Sequence, residues 1–189
     1  MSLRHPINPS DNRLARPRLR WKAALFTAIA VLAPAAGFAQ APNACANDPE
    51  RHRFDFWIGE WNVTTKGGTP VGGSVIQSVS GGCAILENWT SLKGGQGKSL
   101  NGYNPLLHQW QQFWIGGDGS VSEYRASELD GSSLVFLMRA RPDADSVARL
   151  TFTPLDSATV RQHSEQSSDG GKSWVTQYDF YYHRRPGSR

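Results

Sequence analysis

No stretch of eighteen consecutive apolar residues occurs in the chain, so no segment reads as a membrane-spanning helix. There are only two cysteines, Cys45 and Cys83, and no C-x-x-C, which leaves out zinc ribbons and thioredoxin-type redox sites. H-E-x-x-H and G-x-S-x-G are both missing, and with them the linear signatures of zincins and α/β-hydrolases. After residue 61 no segment keeps a helical period for ten residues. A surplus of basic charge is also lacking where it would matter. The chain holds 20 Lys+Arg against 16 Asp+Glu. Six of the bases (Arg4, Arg13, Arg16, Arg18, Arg20 and Lys22) and one acid, Asp11, fall in the first 22 residues. The remainder carries a formal net charge of −1, and a nucleic-acid partner is not expected.

What is present begins with a leader. The basic stretch runs into residues 23–33, all small or apolar except Thr27, and Pro34 breaks them before Gly37-Phe38-Ala39. This is the order of a secretory signal: a basic region, a short apolar region and small residues at the cleavage positions. Residues 1–39 are therefore expected to be a signal peptide, with cleavage after Ala39 and a mature chain starting at Gln40. No stable membrane insertion is expected after cleavage, and the destination is exported, periplasmic or secreted. In an oxidising compartment the two remaining thiols, Cys45 and Cys83, most simply pair with each other. Such a bond closes a loop of roughly 37 residues and is worth roughly 3–4 kcal/mol in loop-closure entropy.

Residues 40–52 are polar and loop-like, and 53–186 read as one domain. Phe54, Trp57, Ile58 and Trp61 follow i, i+3, i+4, i+7 spacing, which predicts a short N-terminal helix ending at Gly59. The rest is a succession of alternating segments: 60–66, 73–80, 83–91, 98–103, 109–115, 120–127, 133–140, 147–154, 158–166 and 173–184. Glycine pairs and Asp-Gly turns punctuate them. About ten antiparallel strands joined by tight turns predict an all-β, up-and-down barrel, because closure removes both exposed edges. In 109–115 and 133–139 apolar residues occupy both faces, so an outer covering by the N-terminal helix or a second subunit is expected.

Gly59-Glu60-Trp61 at the start of the first strand resembles the G-x-W signature of lipocalin-like (calycin) barrels. In that group the tryptophan plugs one end and an arginine from the last strand packs across it, a place open here to Arg184 or Arg185. Longer blocks extend the likeness over nearly all of 52–185: residues 54–63, 82–89 and 98–105, the pair Trp110 and Trp114, and 168–174. These resemble a family of small exported bacterial proteins that carries only a domain-of-unknown-function label. The resemblance implies a lipocalin-like barrel and an exported location, and supplies no catalytic residue. Ser167–Trp174 also matches the Asp-box, which is a hairpin turn and no evidence of glycosidase chemistry. The Gly-Lys-Ser at 97–99 lacks the leading glycine of a phosphate loop, since Leu92 stands there.

Candidate site residues follow from charge and aromaticity inside apolar strands. Glu87 interrupts 83–89, and Arg125 and Arg139 sit in similarly apolar surroundings. A charge facing a small lumen is costly unless it is paired. Either these side chains point outward or Glu87 pairs with an arginine inside. Trp89, Trp110, Trp114, Tyr124 and Tyr178 complete the candidate lumen lining, in the polar-plus-aromatic manner of ligand pockets. No cofactor is expected; haem held by His183 is set aside because G-x-W continues here as Trp61-Asn62-Val63-Thr64. The function expected is an exported barrel that binds a small apolar or amphipathic molecule. The alternatives are an envelope structural or adaptor protein, or a small barrel enzyme using Glu87 as acid/base.

Overall fold

The computed structural model describes residues 45–139 and 144–187, the side chains of 127–130 excepted. The expected leader, 1–39, and residues 40–44 lie outside the described residues. Ten strands follow in order: β1 (Gly59–Thr65), β2 (Pro70–Val79), β3 (Ala84–Ser91), β4 (Gln96–Asn104), β5 (Gln109–Gly116), β6 (Val121–Asp130), β7 (Ser133–Arg139), β8 (Val147–Asp156), β9 (Thr159–Ser167) and β10 (Val175–Arg184). Each expected segment has its counterpart, with limits displaced by a few residues. Every strand pairs antiparallel with its sequence neighbours, and β1 also pairs with β10, from Trp61 opposite Arg184 to Thr65 opposite Phe180. The sheet is thus a closed up-and-down barrel with no free edge, consistent with a calycin-like fold. No helix among the described residues is long and apolar enough to cross a membrane.

Alternation along the strands sets what lies inside. In β1 Trp61 and Val63 are buried while Glu60 and Asn62 are exposed. In β4 Gly97, Ser99 and Asn101 are buried between exposed neighbours. One end of the lumen is filled by an aromatic plug of Phe54, Trp57, Trp61, Trp110, Phe136 and Phe152, with Leu134 and Val160 around it. Phe54 stands at its centre, 4.9 Å from the rings of both Trp57 and Phe152. At roughly 25 cal/mol per Å² of apolar surface removed from water, each such ring contributes several kcal/mol.

The expected short helix before β1 is present, in 3-10 rather than α form. It forms two 3-10 turns, Pro49–His52 and Asp55–Trp57, and Trp61 already belongs to β1. The bonds Trp57 N–H to Phe54 O (3.1 Å) and Ile58 N–H to Asp55 O (3.0 Å) span three residues rather than four. A three-residue repeat eclipses Phe54 and Trp57. Their rings accordingly stack at 13°, a flat wedge that enters the barrel end. Three of the four residues expected to share a face, Phe54, Trp57 and Trp61, are fully buried, and Ile58 is half-buried.

Arg184 is the arginine that seals this end. Its guanidinium lies 4.3 Å from the centre of the Trp61 ring and donates to Ile58 O at 3.0 Å and Ser157 O at 3.3 Å. Arg185 points outward and bonds Asn62 at 3.1 Å. The sequence needs glycine at 59 because its φ is +145° and a β-carbon there would collide with the Arg184 guanidinium. A disulfide joins Cys45 to Cys83, with α-carbons 5.2 Å apart, and ties the N-terminal turns to the β2–β3 connection.

The turns cap the barrel end and leave the outer wall bare. Leu100, Phe113, Ile115 and Val121, on neighbouring strands β4, β5 and β6, are exposed, so among the described residues no N-terminal helix covers them as expected. The Asp-box is the hairpin joining β9 to β10. Asp169 accepts N–H bonds from Lys172 and Ser173, both at 2.9 Å, and a 2.6 Å hydroxyl bond from Ser173. Those donors hold its carboxyl well below the usual carboxylate range.

Candidate functional site

Beyond the plug the lumen changes character. The inward positions of β3 are Ile85, Glu87 and Trp89, the first in the plug layer and the last near the opposite mouth. Glu87, only 3% exposed, sits between them, with Ile76 of β2 and Ser99 of β4 as its cross-strand neighbours. Its Oε1 accepts from the Ser74 hydroxyl at 3.0 Å and the Tyr182 hydroxyl at 3.3 Å, and its Oε2 accepts from Ser99 at 3.1 Å. The network spreads from there. Asn101 donates to Ser99 Oγ at 3.0 Å, Gln112 donates to Asn101 Oδ1 at 2.8 Å, and Tyr182 shares its one proton between Glu87 and the nearer Gln162 Oε1, at 2.8 Å. Six strands therefore supply a buried polar belt that crosses the lumen above the aromatic plug.

Over this belt lies a cavity of about 410 Å³. Glu87, Gln112, Gln162 and Tyr182 form its inner part, and Trp89, Trp114, Tyr124, Tyr178 and Phe180 form its aromatic wall. Those five aromatics are half-buried, which marks the end that faces solvent. Phe180 stacks on Tyr178 (4.5 Å between centroids, 25° between planes) and lies nearly parallel to Trp89 at 6.0 Å. Trp114 takes its place because β4 carries Gly97 beside it. A β-carbon on Gly97 would enter the Trp114 ring, so glycine is what lets the indole lie flat against the wall.

Electrostatics single out Glu87. Burial pushes its carboxyl up to about 7, against the opposing pull of the Ser74, Ser99 and Tyr182 hydroxyls. The phenols of Tyr124, Tyr178 and Tyr182 are all pushed above their ordinary value, chiefly by burial, and Tyr178 and Tyr182 also feel the charge of Glu87. They stay neutral across the ordinary range. Glu87 alone among the described lining residues changes charge near neutral pH, and none of those residues is Lys, Arg or His.

Of the residues singled out from sequence, the structure brings Glu87, Trp89, Trp114, Tyr124 and Tyr178 around one cavity. Trp110 faces inward but belongs to the plug, donating to Glu50 O at 2.9 Å. Arg125 and Arg139 are corrections. In β6 the inward side chains are Ser122 and Tyr124, so Arg125 faces solvent and pairs with Glu123 at 2.9 Å. In β7 Leu134 and Phe136 are buried, which turns Arg139 outward, where it donates to Ala144 O at 2.9 Å. Among the described residues no arginine pairs with Glu87; its partners are hydroxyls. His183 also lies outside, 3.2 Å from the Thr64 hydroxyl. Sequence reasoning passed over Ser74, Ser99, Asn101, Gln112, Gln162 and Tyr182. Parity held the signal for two of them: Gln112 lies midway between Trp110 and Trp114, and Tyr182 follows Tyr178 by four residues on β10.

The fold and site define a class: a closed ten-stranded antiparallel barrel, plugged at one end, with a polar-floored aromatic cavity at the other. No protein-family model matches the chain, and no curated protein matches it either.

Proposed function

We propose that this chain is an exported small-molecule-binding barrel, taking an apolar or amphipathic ligand into the cavity above Glu87. One observation carries the reading: a cavity of about 410 Å³ with an aromatic wall and a single buried carboxyl at its floor. Binding sites for small molecules have this make-up, mostly apolar walls with a few placed polar groups, in volumes of roughly 300–1,000 Å³. Export rests on the leader-like residues 1–39 and on the likeness to an exported bacterial family of lipocalin-like barrels. The Cys45–Cys83 disulfide supports it, since such bonds persist in oxidising compartments. The apolar body of the ligand lies among Trp89, Trp114, Tyr124, Tyr178 and Phe180, and any polar group reaches the belt.

The test is a titration of the purified protein with N-phenyl-1-naphthylamine, a neutral dye that fluoresces in apolar surroundings. Saturable enhancement at one dye per chain, lost when Ser122→Trp fills the cavity, is the expected result. No enhancement, or enhancement untouched by that substitution, refutes the reading. A second reading, acid/base catalysis by Glu87, is favoured by its raised carboxyl and its contact with Tyr182, a second titratable group. Turnover of a bound compound that stops in Glu87→Gln would distinguish it.

A further inference from the structure

The lining of the cavity is one-sided in charge. Its twelve described residues include one acid and no base. The described arginines nearest in sequence to the lining positions are on the outer wall and already engaged: Arg125 with Glu123, Arg149 with Glu165 at 2.8 Å, Arg161 with Asp179 at 2.7 Å. Both oxygens of Glu87 meet only O–H donors, so its counter-charge does not come from the described side chains. The walls supply no counter-charge, since five aromatic side chains surround the space. A carboxylate ligand would meet Glu87 with no described lining group to neutralise it. A neutral ligand would leave the carboxyl holding its proton.

Building on the binding reading above, we infer that the ligand is an organic ammonium ion, its nitrogen seated against Glu87 and its apolar body held among the rings of the mouth. The belt has acceptors to share with such a group. Gln112 commits its amide N–H to Asn101, which leaves its carbonyl oxygen as an acceptor, and the Tyr182 oxygen stands 3.3 Å from the carboxylate. An ammonium ion is a compact multiple donor and suits a floor made of acceptors. Three features thus point to one chemistry: the unmatched carboxyl, the absence of a lining base and the aromatic enclosure.

The inference carries a pH signature. The groups packed against Glu87 are Ser74 of β2, Ser99 of β4 and Tyr182 of β10, with Tyr178 felt through charge; none of these changes charge near neutrality. With its carboxyl held up near 7, Glu87 is protonated in the empty cavity at mildly acid pH, and a bound cation must displace that proton. Affinity for an amine therefore falls as pH drops below about 7, by about thirtyfold between pH 8 and pH 5.5.

Calorimetry with three probes of matched ring, tryptamine, tryptophol and indole-3-acetate, tests this at both pH values. At pH 8 tryptamine should bind at least roughly tenfold tighter than tryptophol, as a charge-assisted bond allows. The preference should vanish in Glu87→Gln and in the unaltered protein at pH 5.5. Tryptophol binding as tightly as tryptamine, indole-3-acetate binding best, or an amine preference that survives Glu87→Gln would overturn the cation assignment and leave the cavity reading standing. If none of the three binds and N-phenyl-1-naphthylamine also fails, the cavity reading falls with it.

Discussion

Glu87 makes a quantitative claim about stability. Its carboxyl rises from an ordinary value of 4.5 to about 7 on folding, and the leading cause is burial. At about 1.4 kcal/mol per tenfold change in proton affinity, keeping the ionised carboxylate inside costs the fold about 3 kcal/mol. The direction follows from proton counting. Between pH 4.5 and 7 the folded state binds more protons than the unfolded one, so stability falls as pH rises through this window. Below 4.5 both states are protonated and the penalty is absent; above 7 it is complete. Glu87→Gln removes the titration and keeps a side chain of the same shape, with one oxygen still accepting from Ser74 or Ser99. The variant should therefore match the original protein within about 1 kcal/mol at pH 5, and its relative stability should rise by about 2.5 kcal/mol on going to pH 8. Urea unfolding of both proteins at pH 5, 6, 7 and 8 reads this difference directly, since contributions from other carboxylates cancel between them. A difference that stays flat with pH, or one that turns against the glutamine as pH rises, refutes the assignment of Glu87 as a buried carboxyl without a counter-charge.

Two further perturbations test the frame around the site. Breaking the Cys45–Cys83 bond by Cys83→Ala, together with Cys45→Ala, should lower the unfolding free energy by roughly 3–4 kcal/mol, as loop-closure entropy predicts; denaturant midpoints with and without the bond check it. Gly97→Val should drive the Trp114 ring off the wall and into the cavity, costing about 1–3 kcal/mol as overpacking does. Dye affinity should fall at least tenfold in that variant, while its circular dichroism keeps the β signature.

Much of the barrel is legible in the sequence because its strands are local objects. Each β-segment alternates, most turns carry a glycine or an Asp-Gly pair, and pairing with the next strand requires only a short connection. Parity along β3 and β5 likewise places Glu87 with Trp89 on one face, and Trp110 with Trp114. The same rule decides the arginine question. Tyr124 and Arg125 are adjacent on β6, and a repeat of two forbids both from facing the lumen. The inward position goes to the tyrosine because an unpaired guanidinium inside is far costlier than a phenol. The polar belt was not legible. Ser74, Ser99, Asn101, Gln112 and Gln162 look like solvent-facing strand residues when read singly, and their burial depends on a shared network that runs through β3, β4 and β5 and reaches β10 at the far end of the sequence through Tyr182. The 3-10 geometry of 55–57 was hidden for a similar reason. Spacing of i, i+3 fits both helix types, and the shape of the barrel end selects the tighter one.

The claim at the centre is that a ligand enters the lumen above Glu87 and goes no further than the belt. The tryptophans report it by position: Trp89 and Trp114 line the cavity, Trp57, Trp61 and Trp110 form the plug, and Trp174 lies under Arg149 on the outside, 3.9 Å from its guanidinium. Indole N–H resonances of ¹⁵N-labelled protein, followed while N-phenyl-1-naphthylamine is added, separate the three sets. Saturable shifts of Trp89 and Trp114, with the plug and Trp174 unmoved, are the predicted outcome. Shifts confined to Trp174 or to the plug, or no shift at saturating dye, would contradict a ligand site in this cavity.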